Sequence, residues 1–247
     1  MAAFLRCIRS DIQKFKHTSM LWIHALLPVG IAALFLTYYT VSPWKADAKI
    51  SAYLEAVGAA FPLIISLVCS KAIEQESQAG SFQTMLCAAR SRAASYISKL
   101  IVMILLGAFS IALAISVFAA GFRIAPNQVY FKAIGLLIAG SVFLYILHLF
   151  ISLQFGKGAS VGLGIVESLV STLALTGLGD GVWYYLPCTW GARLCDYLVS
   201  VWVHPGNAAA ASAETNRWLM IAVPATIAAF VLSLLWFRKW EGRKSYD

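Results

Sequence analysis

Two ionisable side chains stand where such groups are costly. Glu167, in GIVESLVSTL, and His148, in LYILHLF, each lie inside a long apolar run. A carboxylate left charged in hydrocarbon costs roughly 2.5 to 3.5 kcal/mol even on insertion scales, so Glu167 has to face protein or water. One role for it is a polar element of a translocation path or a proton-linked site; the plain alternative is a packed or protonated carboxyl bonded to a neighbouring helix. His148 carries the same alternatives, and spacing leaves open whether the two pair. Both are candidate path residues. The fragment FGKGAS contains Gly156 and Lys157, but Ile151 stands where a phosphate loop needs its first glycine and Gly158 where it needs Ser or Thr. TGLGDG (Thr176 to Gly181) follows an apolar run rather than a strand, and a turn explains it. No catalytic residue, cofactor site or nucleotide site is therefore expected. The five cysteines contain no CxxC pair and the four histidines are scattered, so no metal is expected either.

These residues belong to a chain of 247 residues that is 60% hydrophobic and only 12% charged, too apolar for a soluble domain of its size. The expected class is an all-α membrane protein, with a single domain over 1–247. The formal charge of +8 is not interleaved with aromatics in a soluble region, which argues against nucleic acid. Residues 1–18 place Phe4, Ile8, Ile12 and Phe15 on one helical face, with Arg6, Arg9, Asp11, Lys14 and Lys16 elsewhere, as in a helix lying in the membrane interface. Six spans follow, at about Met20–Val41, Ser51–Ser70, Leu100–Gly121, Val129–Gln154, Ser160–Leu178 and Trp218–Phe237. An even number puts both termini on one side, and that side collects most of the Lys and Arg, which marks it as cytoplasmic. Residues 179–216 form the last outer loop. Its stretch from Val182 to Val203 is apolar, but as a span it would bury Arg193 and Asp196 in lipid and send the cationic tail outside. A re-entrant or interfacial segment before span six is expected instead. Cys188 and Cys195 fall there; in one helix their Cα atoms would lie about 10 Å apart, beyond the roughly 7 Å a disulfide allows, and whether they are bridged stays open.

The one long polar stretch in the middle is 71–99, between spans two and three. Gly80 and Ser81 open a turn, and Phe82, Met85 and Leu86 follow at helical spacing, so a short amphipathic helix in the cytoplasm is expected. Such a helix docks on a partner or on a membrane surface. A plain connecting loop is the alternative.

This layout resembles the permease subunits of type-2 ATP-binding-cassette (ABC-2) exporters. The matching text is Glu76, Gly80, Ser81, Met85, Leu86, Ser91, Arg92 and Lys99, similar to that family's pattern of Glu, spaced Gly, apolar pair, Ser-Arg and closing Lys. Within the family, Leu186 to Arg193 resembles a Pro-x-x-Trp-x-x-Arg pattern of lantibiotic immunity permeases. The Cys188 and Cys195 pair departs from it. The resemblance implies a bacterial plasma-membrane permease that is not itself an enzyme, with ATP and magnesium on a partner ATPase present in two copies. It also implies a second permease chain of a different kind, membrane lipid around both, and a peptide cargo expelled for self-immunity or resistance. The ATPase contact would use Glu76, Gly80, Phe82, Met85, Leu86, Arg90 and Arg92. The outer aromatic residues Trp183 and Trp190, with Arg193, would be first contacts for cargo. Another cargo, such as a lipid, drug or ion, fits the same motifs; a membrane scaffold without transport is the reading from a different class. Cargo identity, transport direction and whether the permeases form a homo- or a heterodimer are not written in these residues.

Overall fold

The computed structural model describes residues 2–16, 18, 20–87 and 91–242. Among them every regular element is helical. The order is α1 (Ala2–Lys16), α2 (Met20–Val41), α3 (Ala46–Gln78), the short α4 (Gln83–Cys87), α5 (Arg92–Gly121), α6 (Asn127–Gln154) and α7 (Lys157–Ala174). Three 3-10 turns then lead to α8 (Trp190–Val203), and a fourth, Pro205–Asn207, to α9 (Ala208–Lys239).

Five helices, α2, α3, α5, α6 and α9, are long and apolar enough to cross a membrane. The expected fifth span, α7, has 18 residues, about 27 Å of helix against a hydrocarbon core of about 30 Å. It still runs between the two ends of the bundle. Lys157, its first residue, lies 3.2 Å from Glu74 near the end of α3. Just past its last turn, the Thr176 carbonyl accepts from Arg193 of α8 at 2.9 Å. The first of these ends also holds α1, α4, the start of α5 and the finish of α9; it is called the α1 end below, and the other the α8 end.

α3 is the hub. Within its most apolar window 67% of residues are buried, against 22% for α2 and 17% for α9, so those two keep most of their surface for lipid or another chain. It packs against α7, α8 and α6 and touches α5 and α2. α3 is 33 residues long, about 50 Å, and therefore projects beyond a bilayer.

α8 enters the bundle as a wedge. A Cβ on Gly58 of α3 would lie 2.7 Å from the Ala192 backbone, and one on Gly140 of α6 would lie 2.7 Å from the Gly191 nitrogen. Small residues on both sides are what allow such backbone approach where apolar burial gives no drive. Gly140 is halfway along α6, so the start of α8 reaches the middle of the bundle and its remaining turns lead back to the α8 end. Trp190, Ala192, Leu194 and Cys195 are all buried. The stretch expected as a small-residue loop before span six is helical from Ala208 onward, because a run of alanines has the highest helix propensity. Cys188 and Cys195 are free thiols, and both are buried.

Two prolines lie inside spans that line the core, and each leaves a carbonyl without its helical donor. Opposite Pro28, Ser110 Oγ donates to the freed His24 carbonyl at 3.1 Å. Beside Pro62, the Leu63 N–H donates to Ser168 Oγ of α7 at 3.1 Å. At Pro28 a neighbouring hydroxyl thus restores the donor that proline removes, and beside Pro62 a hydroxyl accepts from the amide that follows the proline. Gly140→Leu should force α8 out of its slot at a cost of about 1–3 kcal/mol. The readout is maleimide labelling: Cys195, closed to the reagent in the wild type, becomes reactive in the variant.

Candidate functional site

At the α1 end four charges converge. Lys99 Nζ lies 2.7 Å from Glu76 Oε1 and 3.0 Å from Asp11 Oδ1. Lys14 Nζ reaches both oxygens of Glu76 at 2.8 and 2.9 Å, and Ser98 Oγ donates to Asp11 Oδ2 at 2.7 Å. Lys99, Glu76 and Asp11 are buried, and Lys99 also sits 5.7 Å over the Phe15 ring. Two cations meet two carboxylates, so the cluster is neutral, and each ion has at least one short charge-assisted bond. α1, α3 and α5 are thereby locked together. Phe4, Ile8, Asp11 and Phe15 are the packed stripe of α1; Ile12, expected on that stripe, is exposed, and Asp11 takes the inward place because Lys99 waits there.

The polar connection between α3 and α5 is folded onto this lock. α3 ends in a tight turn with positive φ at Gly80 (122°), Ser81 (50°) and Phe82 (68°). Only glycine adopts this region without strain, so the two residues after it are held there by their surroundings. The Phe82 ring meets Trp240 edge-on at 5.0 Å, and Met85 is buried. Arg92 Nη1 donates to the Trp240 carbonyl at 3.1 Å and the Arg238 carbonyl at 3.4 Å, while Tyr96 packs on Phe237 at 5.1 Å. The turn and α4 are therefore tied to α9 as well as to α5.

Of the residues expected to meet an ATPase, Glu76, Phe82 and Met85 point into the chain, Leu86 and Arg92 are half-buried and Gly80 is exposed. Arg90 lies outside the described residues. The inward side chains fix the turn from beneath, and the surface offered outward is Gln78, Ala79, Gly80, Ser81 and Gln83. Lys14, read from sequence as one of the interface helix's outward cations, and Asp11, read as off the apolar face, belong to the lock. The one available hint was that Asp11 falls seven positions after Phe4, on the apolar stripe.

In the bundle interior His148 and Glu167 do come together. His148 Nε2 lies 2.7 Å from Glu167 Oε2, and Nδ1 lies 3.1 Å from Ser160 Oγ. His148 is completely buried and the Glu167 side chain is 11% exposed. With Nε2–H donating to the carboxylate, Nδ1 takes the Ser160 hydroxyl proton in a neutral ring or gives its own in an imidazolium. The pair thus joins α6 to α7 in the bundle interior. Glu167 is not alone among acids in a spanning helix: α3 starts earlier than expected, which places Glu55 well inside it, 2.5 Å from Ser51 Oγ.

The three residues expected to greet a cargo at the α8 end are interior. Trp183 and Trp190 are buried; the first donates to Glu214 Oε2 at 3.3 Å and the second to the Tyr184 carbonyl at 3.1 Å. Trp190 also packs edge-on against Trp218 at 6.1 Å and Phe143 at 5.7 Å. Arg193 is 5% exposed and reaches Asp180 Oδ1 at 2.8 Å and Asp196 Oδ2 at 3.7 Å. They present no surface to a ligand here; they pin the start of α8 to α9 and to the Thr176–Gly181 turn. Tyr185, at 64% exposure, is the aromatic of this segment that does face out.

Lys99→Met leaves Asp11 without a cation and Glu76 with one fewer, and should destabilise the detergent-solubilised protein by about 3 kcal/mol. Adding Asp11→Asn should recover part of that loss in the same thermal-unfolding assay.

A family model described as "ABC-2 family transporter protein" matches residues 7–174, which spans α1 to α7 and includes the four-charge lock, the α3–α5 turn, His148 and Glu167. No curated protein matches the chain. The match covers well over half of the sequence, and apolar helices able to cross a membrane agree with it. The chain belongs to the ABC-2 transporter family, as a multi-pass membrane permease that works with an ABC ATPase.

Proposed function

We propose that this chain is the transmembrane half of an ATP-driven exporter, with two copies of a separate ATPase docked at the α1 end and nucleotide and magnesium bound there rather than here. The observation that carries this is the exposed turn at Gln78–Gln83, anchored beneath by Glu76, Phe82 and Met85 and tied to α1, α5 and α9. A partner that grips the turn moves four helices at once. ATPase closure would then rock α3 and α5 against a second permease and alternate the exposure of a groove between them. The second permease is a different chain on this reading, and its surface is the outward side of α7. There Gly158 and Gly162 are open and Ile165, Val166, Leu169 and Leu173 are exposed.

In this arrangement α7 is the fifth of six spans, crossing with slight thinning of the bilayer. α1 lies in the inner interface, with Arg6 and Arg9 exposed towards anionic headgroups. Both ends of the described chain and the α3–α5 turn face the cytoplasm of a bacterial cell, in keeping with the positive-inside rule. The cargo is an antimicrobial peptide of the lantibiotic kind, supported by the Leu186 to Arg193 pattern, and His148 with Glu167 contributes to its path.

Affinity purification in mild detergent tests the assembly: an ABC ATPase and a second permease should accompany the chain, and recovery of neither would overturn the proposal. Gly80→Val puts a β-branched side chain at φ 122°, a strain of about 1–3 kcal/mol in the gripped turn. It should leave membrane insertion intact while cutting ATPase recovery and peptide resistance. Glu167→Gln should lower resistance while the complex still forms; resistance equal to wild type would remove Glu167 from the path.

A further inference from the structure

One carboxylate inside a membrane-spanning helix has no cation. Among the described residues, the others set beyond a helix's first turn are paired: Glu74 with Lys157, Glu76 with Lys14 and Lys99, Glu167 with His148, and Glu214 with Arg217. Glu55 of α3 makes no ion pair with any of these residues. Ser51 Oγ donates to its Oε1 at 2.5 Å, and Oε2 accepts from no described donor. The cation whose field reaches it, Arg193, is already held by Asp180 at 2.8 Å and Asp196 at 3.7 Å. One guanidinium thus stands among three carboxylates, and the surplus is negative. Glu55 is also deep. Tyr53, two residues before it, bonds the Ala114 carbonyl, seven residues short of the end of α5 and so about 10 Å inside it.

Glu55 is half-buried and lies in the wall of a groove between α3 and α7. The two hydroxyls of that groove are engaged elsewhere: Ser168 Oγ accepts from the Leu63 N–H, and Thr172 Oγ1 donates to the Ser168 carbonyl at 2.9 Å. Ile165 and Leu169 belong both to the groove and to the outward side of α7, where they are 47% and 61% exposed. A chain seated on that side of α7 therefore covers Glu55. Once covered, the carboxylate is cut off from water, and acyl tails offer it no donor. The chain that covers it has to bring a positive charge.

A second copy of this chain has none to bring. α7 carries no lysine or arginine after Lys157, and α3 carries none between Lys49 and Lys71. Lys49 is bound to the Tyr39 carbonyl at 2.8 Å and stands six residues, about 9 Å, away along the helix. Two copies related by a twofold axis along the membrane normal keep each residue at one depth, so that pairing adds a second lone carboxylate at the same level. We propose that Glu55 is the docking point for a lysine or arginine inside a span of the second permease, and that this charge match selects a different chain over a second copy of this one. The inference rests on the assignment of the outward side of α7 to the second permease. Attraction to one partner and like charge against the other together give the choice.

The test expresses the full chain in its own host with two differently tagged copies, and isolates one tag in mild detergent. A different permease with a lysine or arginine inside a span should come along, and the other tag should not. Glu55→Gln keeps the side chain's size and an acceptor for Ser51 but removes the charge. It should lower recovery of that permease at least about tenfold, with ATPase recovery per chain and thermal unfolding unchanged. Replacing the partner's cation by Met in the Glu55→Gln background should restore recovery, because the lone buried charge is then gone. Equal recovery with Glu55→Gln would overturn the proposal while the exporter assignment stands. So would a failure of the double substitution to restore recovery, capture of the second tag, or a partner without a cation in its spans. Recovery of no permease at all, even with wild type, would overturn the assembly and this pairing with it.

Discussion

Lys99 holds Glu76 and Asp11 in a place that water does not reach, and Lys14 closes the set from the edge. None of the buried three can leave without exposing an ion to a medium that cannot solvate it, so the helices that carry them move together or not at all. Buried ion networks contribute little net stability compared with apolar packing, but they fix geometry strongly because every alternative arrangement is worse. Here the geometry they fix joins the first helix to the two spans that frame the α3–α5 turn. A force applied at the turn is passed on rather than absorbed.

Within the bundle the arrangement follows from the lack of a hydrophobic drive in lipid. Helices are brought together by small residues that permit contact and by polar groups that have no solvent to turn to. Gly58 and Gly140 admit α8; His148 and Glu167 join α6 to α7; Ser110 and Ser168 repair the carbonyl and amide chemistry around Pro28 and Pro62. The least packed helices, α2 and α9, are those whose apolar faces remain open. Such faces are normal for a chain surrounded by acyl tails, and they would be aggregation sites in water.

What the sequence makes legible is set by distance along the chain. Long apolar runs depend on local composition, and the structure has helices over them; of the polar 71–99 stretch, expected as a connecting loop, α3 takes the part up to Gln78 and α5 the part from Arg92, because charged and small residues continue a helix as readily as apolar ones. The Glu76 and Lys99 positions carried a family pattern, but pattern does not tell that Asp11 completes the pair from far upstream, nor that Phe82 and Met85 face in. An amphipathic stripe has the same appearance whether it meets a partner protein or the tail of α9. The aromatic run before α9 misled for a related reason: tryptophan suits an interface between membrane and water, and suits equally well a wedge where Trp190 finds a carbonyl and Trp183 a carboxylate inside. α9 extends further back than hydropathy suggests because alanine favours helix without being oily enough to mark a span.

The proline at position 62 gives the central helix an uneven character. It lies one turn from Gly58, where α8 presses in, and its neighbouring amide is shared with Ser168 on another helix. Above this joint α3 is clamped by the wedge; below it, the helix runs to the ionic lock and the turn. A tilt imposed from below therefore has a natural place to be taken up. On the proposed function, the half of α3 towards the α1 end would act as a crank handle and the half towards the α8 end as its bearing.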